Sequence, residues 1–225
     1  ACLLRKLGMF PNASCQWVPV ALSADIPRVA VAPGWLPGLE IALWRSASGR
    51  IAASSNRCPH RGMRLSHGFV RGENLSCIYH GWSFGPDGTC VRIPAHPDLT
   101  PPATITSQNK TVVEAGGIVW VCDGSPNSPP PVFHGLEPIR SLTFDASLAA
   151  LDAVTDTDAT DTGLRGTTVA GVRIQLVLAP LPDAQTLVHV LGAADSKLEG
   201  RIAAARAAEG LRRRAEAGSR RRDAA

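Results

Sequence analysis

No stretch of this 225-residue chain reaches eighteen apolar residues, so a membrane-crossing helix is excluded on length. The amino-terminal Ala-Cys-Leu-Leu-Arg-Lys-Leu is too short an apolar segment for a secretory leader, and the sequence reads as that of a soluble, cytoplasmic protein. Helical periodicity is missing before about residue 140. Cys2, Cys15, Cys90 and Cys122 show no paired spacing, which argues against a disulfide framework and for free thiols. After His80 only His96, His134 and His189 occur, so no closely spaced histidine pair is present there. Residues 124–131 contain only Gly, Ser, Asn and Pro, a stiff polar connector with nothing to bury. It predicts a first domain over residues 1–123, a linker over 124–135 and a smaller unit over 136–225.

Against these absences stand two short runs, Cys58-Pro-His60-Arg-Gly62 and Cys77-Ile-Tyr-His80-Gly81-Trp82, with sixteen residues between His60 and Cys77. Two thiolates and two neutral imidazoles form the ligand set of a Rieske 2Fe-2S cluster, in which the histidines raise the reduction potential above that of an all-cysteine centre. The same four residues also suit a structural zinc ion. The local grammar favours the cluster: Gly62, Gly68, Gly72 and Gly81 let two loops close tightly, and Pro59 stiffens the first between its ligands.

From Trp17 to Val121 the chain resembles the Rieske domain of bacterial aromatic-ring-hydroxylating and demethylating oxygenases of the vanillate-demethylase kind. The resemblance is carried by Ile41-Ala-Leu-Trp44-Arg45, Arg57-Cys58-Pro-His60-Arg61-Gly62, Leu65-Ser66-His67-Gly68, Leu75-Ser-Cys77-Ile-Tyr-His80-Gly81-Trp82, Gly88-Thr-Cys90, Ile93-Pro94 and Gly117-Ile-Val-Trp120. It implies a mainly β chain, an antiparallel fold in which two hairpin loops meet over the cluster. Short runs at Ile41–Trp44, Thr111–Val113 and Ile118–Val121, and the turn sequence Gly85-Pro-Asp-Gly88, support that fold independently. The resemblance also implies the ligand roles: Cys58 and Cys77 on the ferric iron, His60 and His80 on the iron that is reduced, with the outer imidazole nitrogens near the surface. Arg61, Met63 and Trp82 are expected to pack the loops and to frame the docking surface for a redox partner, and His67 to be structural. Neither loop holds a second thiol, unlike the respiratory type, and Trp82 and Phe84 occupy positions where that type has serine and tyrosine donors. Fewer donors to the reduced cluster predict a potential near the bottom of the Rieske range, roughly −150 mV.

The oxygenase family adds a mononuclear non-haem iron held by two nearby histidines and a later aspartate. That pair is not found here. Asp145, Asp152, Asp156 and Asp158, with His134 and His189, offer donors, but Phe144–Gly166 reads as a solvated loop around a short helix. Val172–Pro182 and Gln185–Leu191 read as two strands joined by a Pro-Asp turn, a small α+β remnant that faintly resembles the sheet closing the family's catalytic domain. Ser196 with Glu199 predicts a capped helix over about 197–217, with Leu198, Ile202 and Leu211 as its apolar stripe. Residues 197–225 carry nine Lys or Arg against four acids, while the rest carries 14 against 15. Arg212–Arg214 and Arg220–Arg222 suit an acidic partner, but without aromatic residues for stacking they do not indicate nucleic acid.

The resulting expectation is a Rieske protein, as a single chain or an oligomer, passing single electrons from a reductase or ferredoxin to an oxygenase component. Two alternatives stay open: an oxygenase subunit of the alpha type using mononuclear iron from another chain or from unrecognised ligands, and a non-catalytic assembly subunit.

Overall fold

In the computed structural model, residues 16–155, 158–159 and 163–223 are described, with side chains through Ser219. Three antiparallel sheets and a long terminal helix stack in layers. The central six-stranded sheet has the order β1-β10-β9-β4-β3-β2. Its strands are β1 (Val18–Leu22), β2 (Ala30–Leu36), β3 (Leu39–Arg45), β4 (Ile51–Ser55), β9 (Asn109–Ala115) and β10 (Ile118–Cys122).

Alternation along β3 explains how this sheet faces two cores. Ile41 and Leu43 join Val18, Val20, Val119 and Val121 on one side. Ala42 and Trp44 point the other way, into a core shared with Cys58, Leu65, Leu75, Cys77 and Phe84. A near-continuous apolar run is what a strand buried on both faces requires.

The second core is capped by a small sheet of β5 (Phe69–Arg71), β6 (Asn74–Ser76), β7 (Ser83–Phe84) and β8 (Cys90–Arg92). Its strands are only two or three residues long, and turns supply much of its definition. The predicted turn at Gly85–Gly88 joins β7 to β8, with Gly88 N–H donating to the Gly85 carbonyl at 2.9 Å. Gly68 is fixed by proximity: a Cβ there would lie 2.2 Å from the Ser76 carbonyl oxygen, which as backbone cannot yield.

Beyond the connector lies a five-stranded sheet of order β11-β15-β14-β13-β12, built from β11 (Leu136–Phe144), β12 (Asp158–Ala159), β13 (Leu164–Val169), β14 (Val172–Pro180) and β15 (Thr186–Ala193). The predicted strand pair is present as β14 and β15. On β14, Ile174, Leu176 and Leu178 face the terminal helix, whereas Val177 and Ala179 face the first sheet's Trp17, Trp120, Val119 and Val121. The connector thus separates the sheets in sequence but not in packing, and it is itself tied to the first sheet's edge by Trp17 Nε1–H, which donates to the Ser128 carbonyl at 2.7 Å.

Three expectations for this half are corrected. The short helix expected within Phe144–Gly166 is present as Leu148–Asp152, capped by Ser147, which accepts from Ala150 N–H at 3.2 Å, but its surroundings are not solvated: Phe144, Ala146, Leu148, Ala150 and Leu151 are buried. The terminal helix runs Leu198–Asp223, and its first i→i−4 bond goes from Arg201 N–H to Lys197 O, which puts Lys197 at the cap position rather than Ser196. Its buried stripe is Ala204, Ala207, Ala208, Leu211 and Ala215, while Leu198 and Ile202 are exposed. Alanine lets the helix axis approach the sheet closely, so small side chains rather than large ones fill the seam. Cys122, read above as a free thiol, is disulfide-bonded; spacing in sequence carries no signal for such a pairing. Cys58, Cys77 and Cys90 are free, and Cys2 and Cys15 lie outside the described residues.

Candidate metal centre

The two Cys/His loops have the same backbone. In the first, Cys58 N–H donates to Met63 O and Gly62 N–H to Cys58 O, each at 2.8 Å. In the second, Cys77 N–H donates to Trp82 O at 2.9 Å and Gly81 N–H to Cys77 O at 3.0 Å. Gly62 and Gly81 both have φ of 71°, the left-handed conformation in which a side chain is strained. The histidine falls two residues after the cysteine in the first loop and three after it in the second.

The base of the first loop is pinned by a residue the motif reading passed over. Asn56 is fully buried; its Nδ2 donates to Ser66 Oγ at 2.8 Å, its Oδ1 accepts from Ser66 N–H at 2.7 Å, and its carbonyl accepts from Leu65 N–H at 3.2 Å. An asparagine just before a ligand loop is a signal worth reading, because its amide imitates a backbone pair. At the base of the second loop, Ser76 and Ser83 hydroxyls pair at 2.8 Å across β6 and β7.

These loops bring all four predicted ligands together, thiol with thiol and imidazole with imidazole. Cys58 and Cys77 are buried and interact with each other. Burial pushes the Cys58 thiol up to about 11, although the backbone N–H groups of His60 and Arg61 favour the thiolate. A thiolate at such a site needs a cation beside it. The rings of His60 and His80 meet edge to face with centroids 4.6 Å apart. Trp82 stacks on His60 at 4.5 Å with the planes 2° apart, and Tyr79 lies over His80 at 3.8 Å. His60 Nδ1 is buried without a hydrogen-bond partner, an arrangement a polar atom tolerates when a metal completes it.

Of the expected packing residues, Met63 and Trp82 do pack against the core holding both cysteines. Arg61 is exposed instead, as is His67 at the end of the 3-10 turn Leu65–His67.

Residues 16–106 match the family model described as Rieske [2Fe-2S] domain. This part of the chain is a Rieske domain. Its cofactor is a Rieske 2Fe-2S cluster, and the buried thiol pair with the unpartnered His60 Nδ1 fits that group.

Among curated proteins, the chain is similar to the oxidoreductase NdmD of Pseudomonas putida, 41% identical over 116 residues, which make up 51% of this chain and 20% of that protein. It is 35% identical over 149 residues to the 4beta-methylsterol monooxygenase of Methylococcus capsulatus, covering 63% of this chain and 39% of the relative. The iron-sulfur subunit TsaM1 of the toluene-4-sulfonate monooxygenase system of Comamonas testosteroni is 36% identical over 110 residues, 49% of this chain and 31% of that protein. The chain thus spans well under half the length of these relatives. Beyond the Rieske domain the likeness is one of fold: apo dicamba monooxygenase superposes with a TM-score of 0.72 at 21% identity, over 92% of this chain and 87% of that one.

Among the described residues, the donors beyond the Rieske domain do not come together. His189 is fully buried, with Nε2 3.1 Å from the Pro19 carbonyl and Nδ1 2.9 Å from Ser141 Oγ, so both ring nitrogens are engaged within the protein. Asp152 is paired with Arg165, His134 is exposed on the connector side, and Asp156 lies outside the described residues. Among the described residues, no three His, Cys, Asp or Glu side chains converge on one metal position. No described helix is long and apolar enough to cross a membrane.

Proposed function

We propose that the chain passes single electrons within an oxygenase system, holding its 2Fe-2S cluster on Cys58, His60, Cys77 and His80. The observation that carries this reading is the convergence of two loops of one backbone form, which puts two buried thiols together and leaves His60 Nδ1 buried and unpartnered. When bound, the cluster supplies one-electron redox chemistry at a potential raised by its imidazole ligands. Cys58 and Cys77 would hold one iron and His60 and His80 the other. Trp82 and Tyr79 fix the ring planes of the two imidazoles, and the core of Trp44, Leu65, Leu75 and Phe84 keeps water from the sulfur side.

A reductase or ferredoxin is the proposed donor and an oxygenase component the proposed acceptor, in keeping with a relative named as the iron-sulfur subunit of a monooxygenase system. Residues 1–123 are proposed as the electron-carrying unit and 136–225 as a buttress behind it. The oxygenase-subunit alternative draws on the fold likeness to dicamba monooxygenase, but His189, the buried histidine of the second sheet, is committed to Ser141 and Pro19.

The test is iron and acid-labile sulfide per chain on anaerobically purified protein, with electron paramagnetic resonance before and after dithionite. Two irons, two sulfides and a Rieske signal only on reduction are expected. A third iron would point to the oxygenase subunit, and zinc without sulfide would overturn the cluster ligation.

A further inference from the structure

The terminal helix is the outer layer of the stack. One face of the five-stranded sheet packs on the first sheet and the other on this helix, so the side of the helix away from Ala204, Ala207, Ala208, Leu211 and Ala215 faces solvent. That side carries Leu198, 73% exposed, Ile202, 41% exposed, and the exposed Arg206 and Arg213. At about 100° per residue these four fall within a quarter of the helix circumference, along roughly 22 Å of its axis.

Charge sets the helix apart from the rest of the chain. Residues 197–225 carry nine Lys or Arg against four acids, while residues 1–196 carry 14 against 15. Arg201 and Arg212 are paired with Glu137, Glu209 and Glu216. Arg206, Arg213 and Arg214 form no ion pair among the described residues, and the one exposed acid between Leu198 and Ser219 is Glu199. A single exposed leucine needs no explanation. Two aliphatic side chains one turn apart, in line with unpaired arginines, have the form of a helix that lies on an anionic bilayer.

We propose that the outer face of this helix binds the surface of a bilayer containing anionic lipid, with Leu198 and Ile202 seated below the headgroups and Arg206 and Arg213 on lipid phosphates. Arginine stems are long enough for the charged heads to stay at the phosphates while the aliphatic pair sinks. Lying on a bilayer asks nothing of the apolar length that crossing one requires. A protein or nucleic-acid partner fits less well: interfaces of the first kind draw affinity from aromatic anchors and those of the second from stacking, and Leu198–Asp223 contains no aromatic residue.

The full chain with its cluster is mixed with large vesicles of phosphatidylcholine, or of equal parts phosphatidylcholine and phosphatidylglycerol, and bound protein is read by co-sedimentation. Binding is expected to the mixed vesicles only, weakening about tenfold or more between roughly 50 mM and 500 mM salt. Arg206→Gln/Arg213→Gln should weaken it about twentyfold at the lower salt. Leu198→Gln/Ile202→Gln should weaken it about tenfold while leaving the salt slope, and Glu199→Gln should tighten it severalfold.

Each variant is first checked for unchanged helicity by circular dichroism; all five positions are exposed, so the fold does not depend on them. The proposal is overturned if the mixed vesicles bind no better than phosphatidylcholine alone, or if Arg206→Gln/Arg213→Gln binds as the parent does. It is also overturned if Arg220→Gln/Arg221→Gln/Arg222→Gln by itself abolishes binding, because the last arginines and not this face would then hold the lipid. A short DNA duplex that strips the protein from the vesicles at equal phosphate concentration would assign the face to nucleic acid instead and overturn it as well.

Discussion

The small sheet that carries the Cys/His loops and the five-stranded sheet behind the connector are both antiparallel, yet they are held by different means. In the small sheet, strands of two or three residues are kept in place by backbone: Gly62 and Gly81 in the left-handed region, Gly68 against the Ser76 carbonyl, and Asn56 imitating a strand partner. In the larger sheet, strands of eight and nine residues alternate between two apolar faces, and an alanine stripe seats a long helix. Backbone geometry tolerates few residue types at a given position; a generic core tolerates many. The first kind of structure therefore leaves a motif in the sequence and the second leaves only a period.

The largest expected effect tests the first region directly. Cys58→Ser or Cys77→Ser removes one of two thiolates from a buried pair, and iron should fall from about two atoms per chain to none, with the reduced signal lost. Circular dichroism should show the five-stranded sheet retained, since its core contains neither cysteine. Collapse of both sheets together would erase the contrast drawn between them.

Glycine substitutions sharpen it next. Gly68→Ala drives a methyl group to 2.2 Å from backbone oxygen, and a loss of about 4 kcal/mol or more is expected in denaturant unfolding. Gly171→Ala, at the β13–β14 turn, is the opposite case: its φ is positive, 80°, but nothing lies within 4 Å of its added Cβ. There the cost should be about 1 kcal/mol. Equal losses at the two sites would mean that close backbone approach is not what sets the small sheet apart.

The junction between the regions should respond to acid. Burial lowers His189 from its ordinary 6.5 to about 4, against a smaller opposing pull from its bond to the Pro19 carbonyl and from Asp25. Pro19 O is an acceptor, so the neutral ring carries its proton on Nε2, and Nδ1 lies 2.9 Å from the Ser141 hydroxyl, which in turn donates to Asp25 Oδ2 at 3.0 Å. The native state thus resists a proton that the unfolded chain takes up. Stability is full above pH 6.5 and is lost as pH falls from there through 4, by about 3 kcal/mol from one group. Urea unfolding across that window measures it, and the slope should be missing from His189→Gln.

What could be read from the sequence follows the same division. The two loops that bring Cys58, His60, Cys77 and His80 together, and the Gly85–Gly88 turn, were legible because each depends on residue types with few substitutes. The strand pair β14–β15 was legible as a period, but its role in joining the sheets was not, since His189 meets Pro19 across 170 positions. Asn56 escaped notice because its function is a backbone imitation, and the Cys122 bridge because pairing has no local signature. The terminal helix was legible as a helix, and Leu211 as part of its buried face, but the rest of that face was not: the expected stripe includes Leu198 and Ile202, which are exposed, whereas the sheet accepts alanine.

That last error gives the smallest and most discriminating prediction. Ile202 is 41% exposed and Leu198 73%, so Ile202→Gln and Leu198→Gln should each leave stability within about 0.5 kcal/mol. Ala208 is fully buried between helix and sheet, and Ala208→Leu forces three extra carbons into a seam set by alanine, at a cost of about 1–3 kcal/mol. On hydrophobicity alone the ranking would be the opposite, with the removed isoleucine costly and the added leucine favourable. Thermal unfolding of the three variants decides between the two rankings. If Ile202→Gln proves the most damaging, the exposed face of the helix is covered by something in solution, and the five-stranded sheet is not the end of the stack.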